Sequence, residues 1–447
     1  FDNSHNGQLT SADSLILNAA QLTNQDGGRI AAAKAVTASV TGLDQQAGEL
    51  FSNGTLTLDL NHGQLNNQNG LINAPGALLL KNLAGVNNQN GEISSALGFE
   101  FNADSLDNSN GKLLSDQSLM VRVAHALANV NGAISAAAID ARVGSLDNTD
   151  GLLSSRGEMT LSVDDTLINH NATLIADGKL MLNAANVDNS LGQIASKQDL
   201  AANIGGLQQQ GGQFIALGSL SLTGIQLDNS HNGLLSADGL LTLNVASIDN
   251  RGGEVSSQDT ISVTAQQLDN SDAGRVDSQK NLTLAVDRLA NRNNGVLTGK
   301  TGLSLTGARL DNSGGSLFSL QNVDLGLSGD VLNNLGLLSS EGRLSVRSGS
   351  LTNDGGSLSS AGALSIDSSG AVSSRGGKLI TDGSLTLNSA SLDNSQNGSI
   401  SGKSAVSIHT GDFDNSHDGR VTSADSLELS AAHLSNHTGG SIGSNKV

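Results

Sequence analysis

The stretch Leu392-Asp393-Asn394-Ser395-Gln396-Asn397-Gly398-Ser399-Ile400-Ser401 is one copy of a phrase repeated along the whole chain. An apolar residue stands two places before an Asn, a Gly follows three or four places after it in every copy but the one at Asn169, where Ala172 and Thr173 stand, and the phrase returns every 19 to 22 residues. The Asn register holds Asn3, Asn24, Asn67, Asn88, Asn108, Asn129, Asn148, Asn169, Asn189, Asn229, Asn250, Asn270, Asn291, Asn312, Asn333, Asn353, Asn394, Asn415 and Asn436, with Gln45, Gln209 and Ser374 at its other three positions. About twenty residues cannot bury an apolar face alone, so a fixed period of this length means stacked units that share one core.

Upstream of the phrase, Gly383-Ser384-Leu385-Thr386-Leu387-Asn388 alternates apolar and polar residues, and so do Leu240–Val245 and Leu282–Val286. Period two predicts strands. Arg420–Ser423, after Gly419, predicts a further short strand, giving two or three per repeat. The expectation is an all-β, right-handed parallel β-helix of about 21 to 22 coils of 19 to 22 residues. A leucine-rich repeat has an overlapping period, but it needs a fuller Leu frame and an outer helix, and no helical period is present. With 21 intervals and ~4.8 Å per strand spacing, the predicted rod is on the order of 100 Å long.

Ladder physics assigns roles within the phrase. The apolar column, including Leu106, Val187, Ile248 and Leu392, points inward, and the Gly is expected to supply positive φ at a tight turn. The Asn column is expected to be structural, bonding backbone groups of its own turn and the next. Asp precedes the Asn at Asp107, Asp147, Asp188 and Asp228 while the coils between carry Ala128, Ile168 and Gln208, which keeps like charges two rungs apart. That spacing lapses at Asp228, Asp249 and Asp269, where the sequence leaves open either a divalent cation or simple Asx turns. The first and penultimate coils are near copies, since Phe1–Ala20 is echoed by Phe413–Ala432. His5, His231 and His417 stand at equivalent turns too far apart along the chain to share a metal.

Composition excludes several function classes. The net charge of −19 opposes a general role on nucleic acid or anionic lipid. There is no cysteine for a disulfide or thiolate site, no Trp or Tyr for a sugar-binding platform, and no apolar run long enough for a membrane helix. Asp164-Asp165 and the scattered Arg142, Arg156 and Arg347 form no acid and base set. Gly299-Lys300-Thr301 and Gly402-Lys403-Ser404 lack the spacing of a phosphate loop and read as turns. Sequons at Asn53, Asn171, Asn281, Asn397 and Asn436 are what chance supplies in so Asn-rich a chain. No catalytic residue, cofactor site or metal site is expected, and the chain reads as a non-enzyme.

The phrase, together with Leu-x-Leu and a return to Leu-Asn-Asn or Leu-Asp-Asn, resembles the haemagglutinin repeats of filamentous haemagglutinin and of contact-dependent growth-inhibition exoproteins. The resemblance implies a secreted fibre on a Gram-negative cell surface, exported through an outer-membrane two-partner-secretion transporter. It also implies that residues 1–447 are one continuous segment of a longer exoprotein, with receptor-binding or toxin modules elsewhere. On this reading the chain is a stalk. The competing expectation is an adhesin whose own lateral face binds a ligand, which an exposed apolar or basic stripe would favour and a uniformly acidic surface would not. A polysaccharide-active enzyme ranks third.

Overall fold

The computed structural model describes residues 1–446, which form two compact units, Phe1–Ser219 and Leu220–Val447. Both are parallel β-solenoids, with about 21 turns along the chain, and no helix occurs among the described residues. The leucine-rich alternative is thereby excluded.

Each coil contains one four-residue strand after the Asn turn and, before the next, either one longer strand or two short ones. In the first unit, Ala133–Ala136, Leu152–Ser155, Thr173–Ala176, Gln193–Ser196 and Gln213–Ala216 stack in parallel, aligning Ile134, Leu153, Leu174, Ile194 and Phe214 as one buried column. The longer strands align Leu119, Ile139, Met159, Leu180 and Leu200 in the same way. In the second unit the corresponding column runs Leu220, Leu241, Ile261, Leu282, Leu303, Val323 and Leu344. Side chains of one class stack on themselves, and each fully buried Leu or Ile contributes about 1.5–3 kcal/mol of transfer free energy. Alternation decides the facing: Leu385 and Leu387 are buried while Thr386 and Asn388 are exposed. At Leu240–Val245 the strand begins one residue later than the alternation predicts, at Leu241, and Leu240 lies outside it, exposed.

The long strand bends so that the coil can close. In some coils the bend is a register shift, between Val123 and Ala126 and again between Val143 and Leu146. In other coils of either unit it becomes a break, as between Phe99–Ala103 and Ser105–Asp107, between Gly302–Gly307 and Arg309–Asp311 or between Leu364–Ser368 and Ala371–Ser373. The count of two or three strands per repeat reflects whether the corner interrupts the ladder.

Candidate functional site

The Asn side chains form an internal amide chain. Asn67 Nδ2 donates to Asn88 Oδ1, and the relay continues through Asn108, Asn129, Asn148 and Asn169 to Asn189, each step 2.7–2.8 Å. Asn3 donates to Asn24 at 2.7 Å. In the second unit the relay runs Asn229, Asn250, Asn270, Asn291, Asn312, Asn333, Asn353 at 2.6–2.7 Å, and Asn394 to Asn415 at 2.7 Å. Most of these Nδ2 atoms also reach a carbonyl in their own turn and one in the next coil, as Asn88 does to Gly91 at 3.4 Å and Lys112 at 3.1 Å. Inside these runs the amides are fully buried and their donors committed, so they offer no reacting group.

The relay stops where the side chain changes. Gln45 accepts from Asn24 at 2.9 Å but turns its own donor to the Leu71 carbonyl, 3.4 Å away, and Asn67 Oδ1 has no partner. Ser374 accepts from Asn353 at 3.2 Å, and Asn394 Oδ1 is left unpartnered. Asn229 Oδ1, at the first register position of the second unit, is unpartnered too.

In most coils the motif Gly does not carry the positive φ expected of it, although Gly27 (φ 77°) and Gly439 (φ 81°), each three places after the register position, do. The left-handed residue is the one before it, Asn90 (φ 53°) ahead of Gly91 and Asn110 (φ 54°) ahead of Gly111, or a second Gly, as Gly252 (φ 63°) ahead of Gly253. Asn occupies this conformation more readily than most residues, which frees the Gly for another purpose. A Cβ on Gly91 would lie 2.7 Å from Asn88 Oδ1 and closer still to the Asn67 carbonyl, so Gly is what lets the ladder close. The exception, Ala172, shows the cost: its N–H is 3.3 Å from the Asn169 carbonyl, against 2.8–3.0 Å for Gly91, Gly111, Gly151 and Gly192.

The Asp column makes Asx turns. Asp107, Asp188, Asp228 and Asp269 each accept the backbone N–H two residues on, at 2.9–3.0 Å. At the acidic run, Asp228, Asp249 and Asp269 do fall on adjacent rungs, and arginine supplies the countercharge. Arg251 forks onto Asp249 (Nη2 2.6 Å, Nε 3.0 Å), and Arg292 Nη2 lies 3.8 Å from Asp269. Burial works to raise the Asp249 carboxyl, but the bonds from Arg251 outweigh it and hold the group below the usual carboxylate range. Among the described residues no group of three or more His, Asp or Glu could hold a metal ion.

Beside this run lies an open groove of about 410 Å³, lined among others by Arg251, Arg288, Arg292, Arg309, Gln267, Asp249 and Asp311. Arg288 and Arg309 are register partners on adjacent strands. Both are exposed, and neither has an acidic partner. Their juxtaposition was missed in the sequence although its signal was there: they are one period apart, and Arg251 and Arg292 are two.

The haemagglutinin-repeat family model matches residues 2–61, 99–163, 160–231, 226–286, 280–326, 320–376 and 371–442. The chain belongs to the haemagglutinin-repeat family. No curated protein matches it, and no solved structure does. The family is one of structural and adhesive exoproteins, and no helix among the described residues is long and apolar enough to cross a membrane.

Other positions singled out from the sequence sit on the outside of the haemagglutinin-repeat coils. Asp164 and Asp165 are exposed at the corner of Met159–Ile168, with Arg142 Nη2 3.4 Å from Asp164. Arg156 donates to the Asp116 carbonyl at 2.5 Å and Arg347 lies 3.7 Å from Asp367, so the structure gathers none of these arginines into a site. Lys403 pairs with Asp382 at 2.8 Å, and Lys300 donates to Gln279, both as turn residues. His5, His231 and His417 are exposed at turn tips.

Proposed function

We propose that this haemagglutinin-repeat segment is the stalk of a secreted, surface-displayed exoprotein, holding a receptor-binding or toxin module away from a Gram-negative cell after export through an outer-membrane two-partner-secretion transporter. The observation that carries the reading is the amide relay. Its polar groups are spent on joining coil to coil, the arrangement expected of a part whose function is length and stiffness. On this proposal the Asn column is structural throughout, and the unbroken period of the motif across residues 209–229 supports one continuous solenoid. The acidic balance supports a partner set without nucleic acid.

The test anchors the chain to a bead at one end, carries a binding module at the other, and compares versions shortened or lengthened by whole coils. Capture across a fixed gap should follow coil number and ignore outer-face sequence. Capture that ignores length, or that persists without the module, would overturn the stalk reading. A lateral adhesin is the second reading, and the observation favouring it is the arginine groove on an otherwise acidic chain.

A further inference from the structure

We propose that the groove in the second unit binds a phosphate monoester between Arg288 and Arg309. The two arginines are register partners on adjacent rungs, whose strands lie about 4.8 Å apart. Like charges so placed repel, and the same outward column carries neutral Gln226, Ser247 and Gln267 on the preceding rungs. A neutral residue is therefore compatible with the fold here, and the doubled arginine needs another reason.

Among the described residues no carboxylate forms an ion pair with these two arginines, although Asp269 and Asp311 line the same groove. Arg251 and Arg292 are turned to Asp249 and Asp269. Asp311 and Asp330, the latter one rung beyond Arg309 in the same column, keep their charge but take hydroxyl bonds from Ser313 and, at 2.8 Å, from Ser350. Arg288 and Arg309 have no such partner. The pair thus presents two positive charges, with the Gln267 amide one rung away as a further donor. A phosphate monoester near neutral pH carries a charge of about −1.5 to −2 with three acceptor oxygens, and guanidinium forks match its geometry. Sulfate esters and carboxylates carry one charge and match a pair less well. With no Trp or Tyr in the chain, recognition rests on the charged group rather than on sugar stacking. The phosphate could be borne by a glycan or by a lipid headgroup, and the chemistry at the groove is the same.

The experiment is isothermal titration of the full chain at low salt with glucose 6-phosphate and with glucose 6-sulfate. The phosphate is expected to bind at least about tenfold tighter, and to weaken about tenfold from pH 7.5 to 5 as its second ionisation, near pH 6, is reversed. Arg288→Gln with Arg309→Gln should abolish binding, Arg288→Lys with Arg309→Lys should weaken it, and Arg142→Gln with Arg347→Gln, an equal charge change elsewhere, should leave it intact. Phosphomannan and phosphatidic-acid vesicles then tell a glycan source from a lipid one, and binding of either supports the site. Equal affinity for sulfate and phosphate, no binding at all, or binding untouched by the Arg288 and Arg309 changes would overturn it. The parent's own selectivity and pH profile decide the matter even if a variant folds poorly. This inference deepens the adhesin reading, and its failure would leave the stalk reading to the bead assay.

Discussion

Ser374→Asn should stabilise the coils around it, because it restores a relay that the native sequence interrupts. The backbone there already has ladder geometry: the Ser374 N–H reaches the Asp393 carbonyl at 2.7 Å and the Gly377 N–H reaches the Ser374 carbonyl at 3.0 Å, as in the Asn coils. The substitution supplies a donor to Asn394 Oδ1, now buried without a partner, which recovers about 1–3 kcal/mol of desolvation cost. It also shortens the 3.2 Å contact from Asn353 toward the 2.7 Å of the neighbouring steps. Against this stands about 0.5–1 kcal/mol for fixing a longer side chain. The net gain is about 1.5 kcal/mol, roughly tenfold in a local opening equilibrium. In a repeat protein that gain stays near the site, so the assay is amide hydrogen exchange followed by mass spectrometry across residues 370–400. Exchange should slow about tenfold there and stay unchanged in the first unit. Asn353→Ser, which makes a second break, should speed it by a similar factor. Unchanged or faster exchange in Ser374→Asn would refute the claim that the orphaned amide oxygen costs stability.

Asn108→Ala removes the donor to Asn129 Oδ1 and the bond to the Gly111 carbonyl, and should destabilise the first unit by about 3–5 kcal/mol in urea unfolding. Gly91→Ala should cost more than about 1 kcal/mol because its Cβ meets the Asn88 amide oxygen, whereas Ala172→Gly should stay within about 1 kcal/mol of the parent; thermal melting checks both. Acid should weaken the fold. Burial works to raise the Asp354 carboxyl, but bonds from Arg375 and Ser373 outweigh it, and bonds from Ser416 lower Asp414. Carboxyls lowered in the folded state give stability that is present above their ordinary range, near pH 4, and lost as pH falls through the folded values. Melting temperature should thus be flat from pH 7 to 5 and drop below about pH 4, with a smaller drop in Asp354→Asn. Millimolar calcium should leave the melting temperature unchanged, because Arg251 and Arg292 serve the Asp249 and Asp269 carboxylates; a rise would restore the cation reading of Asp228, Asp249 and Asp269.

The sequence by itself determined the period, the strand faces and the identity of the stacked columns. Each of these is local: alternation in Leu385-Thr386-Leu387 sets facing, and a fixed step sets which residues become neighbours. The tertiary structure alone decided what the columns do to one another. That Asn88 donates to Asn108 as well as to backbone depends on the rise and lean between coils, and so does the orphaning of Asn394 behind a shorter Ser374. The Gly column was legible as a turn but not as clearance for the amide chain, since a Cβ clash with the preceding coil has no trace in one repeat read alone. The meeting of Arg288 and Arg309 is likewise a matter of register: twenty-one residues apart in the chain, they become neighbours only when one coil lies on the next.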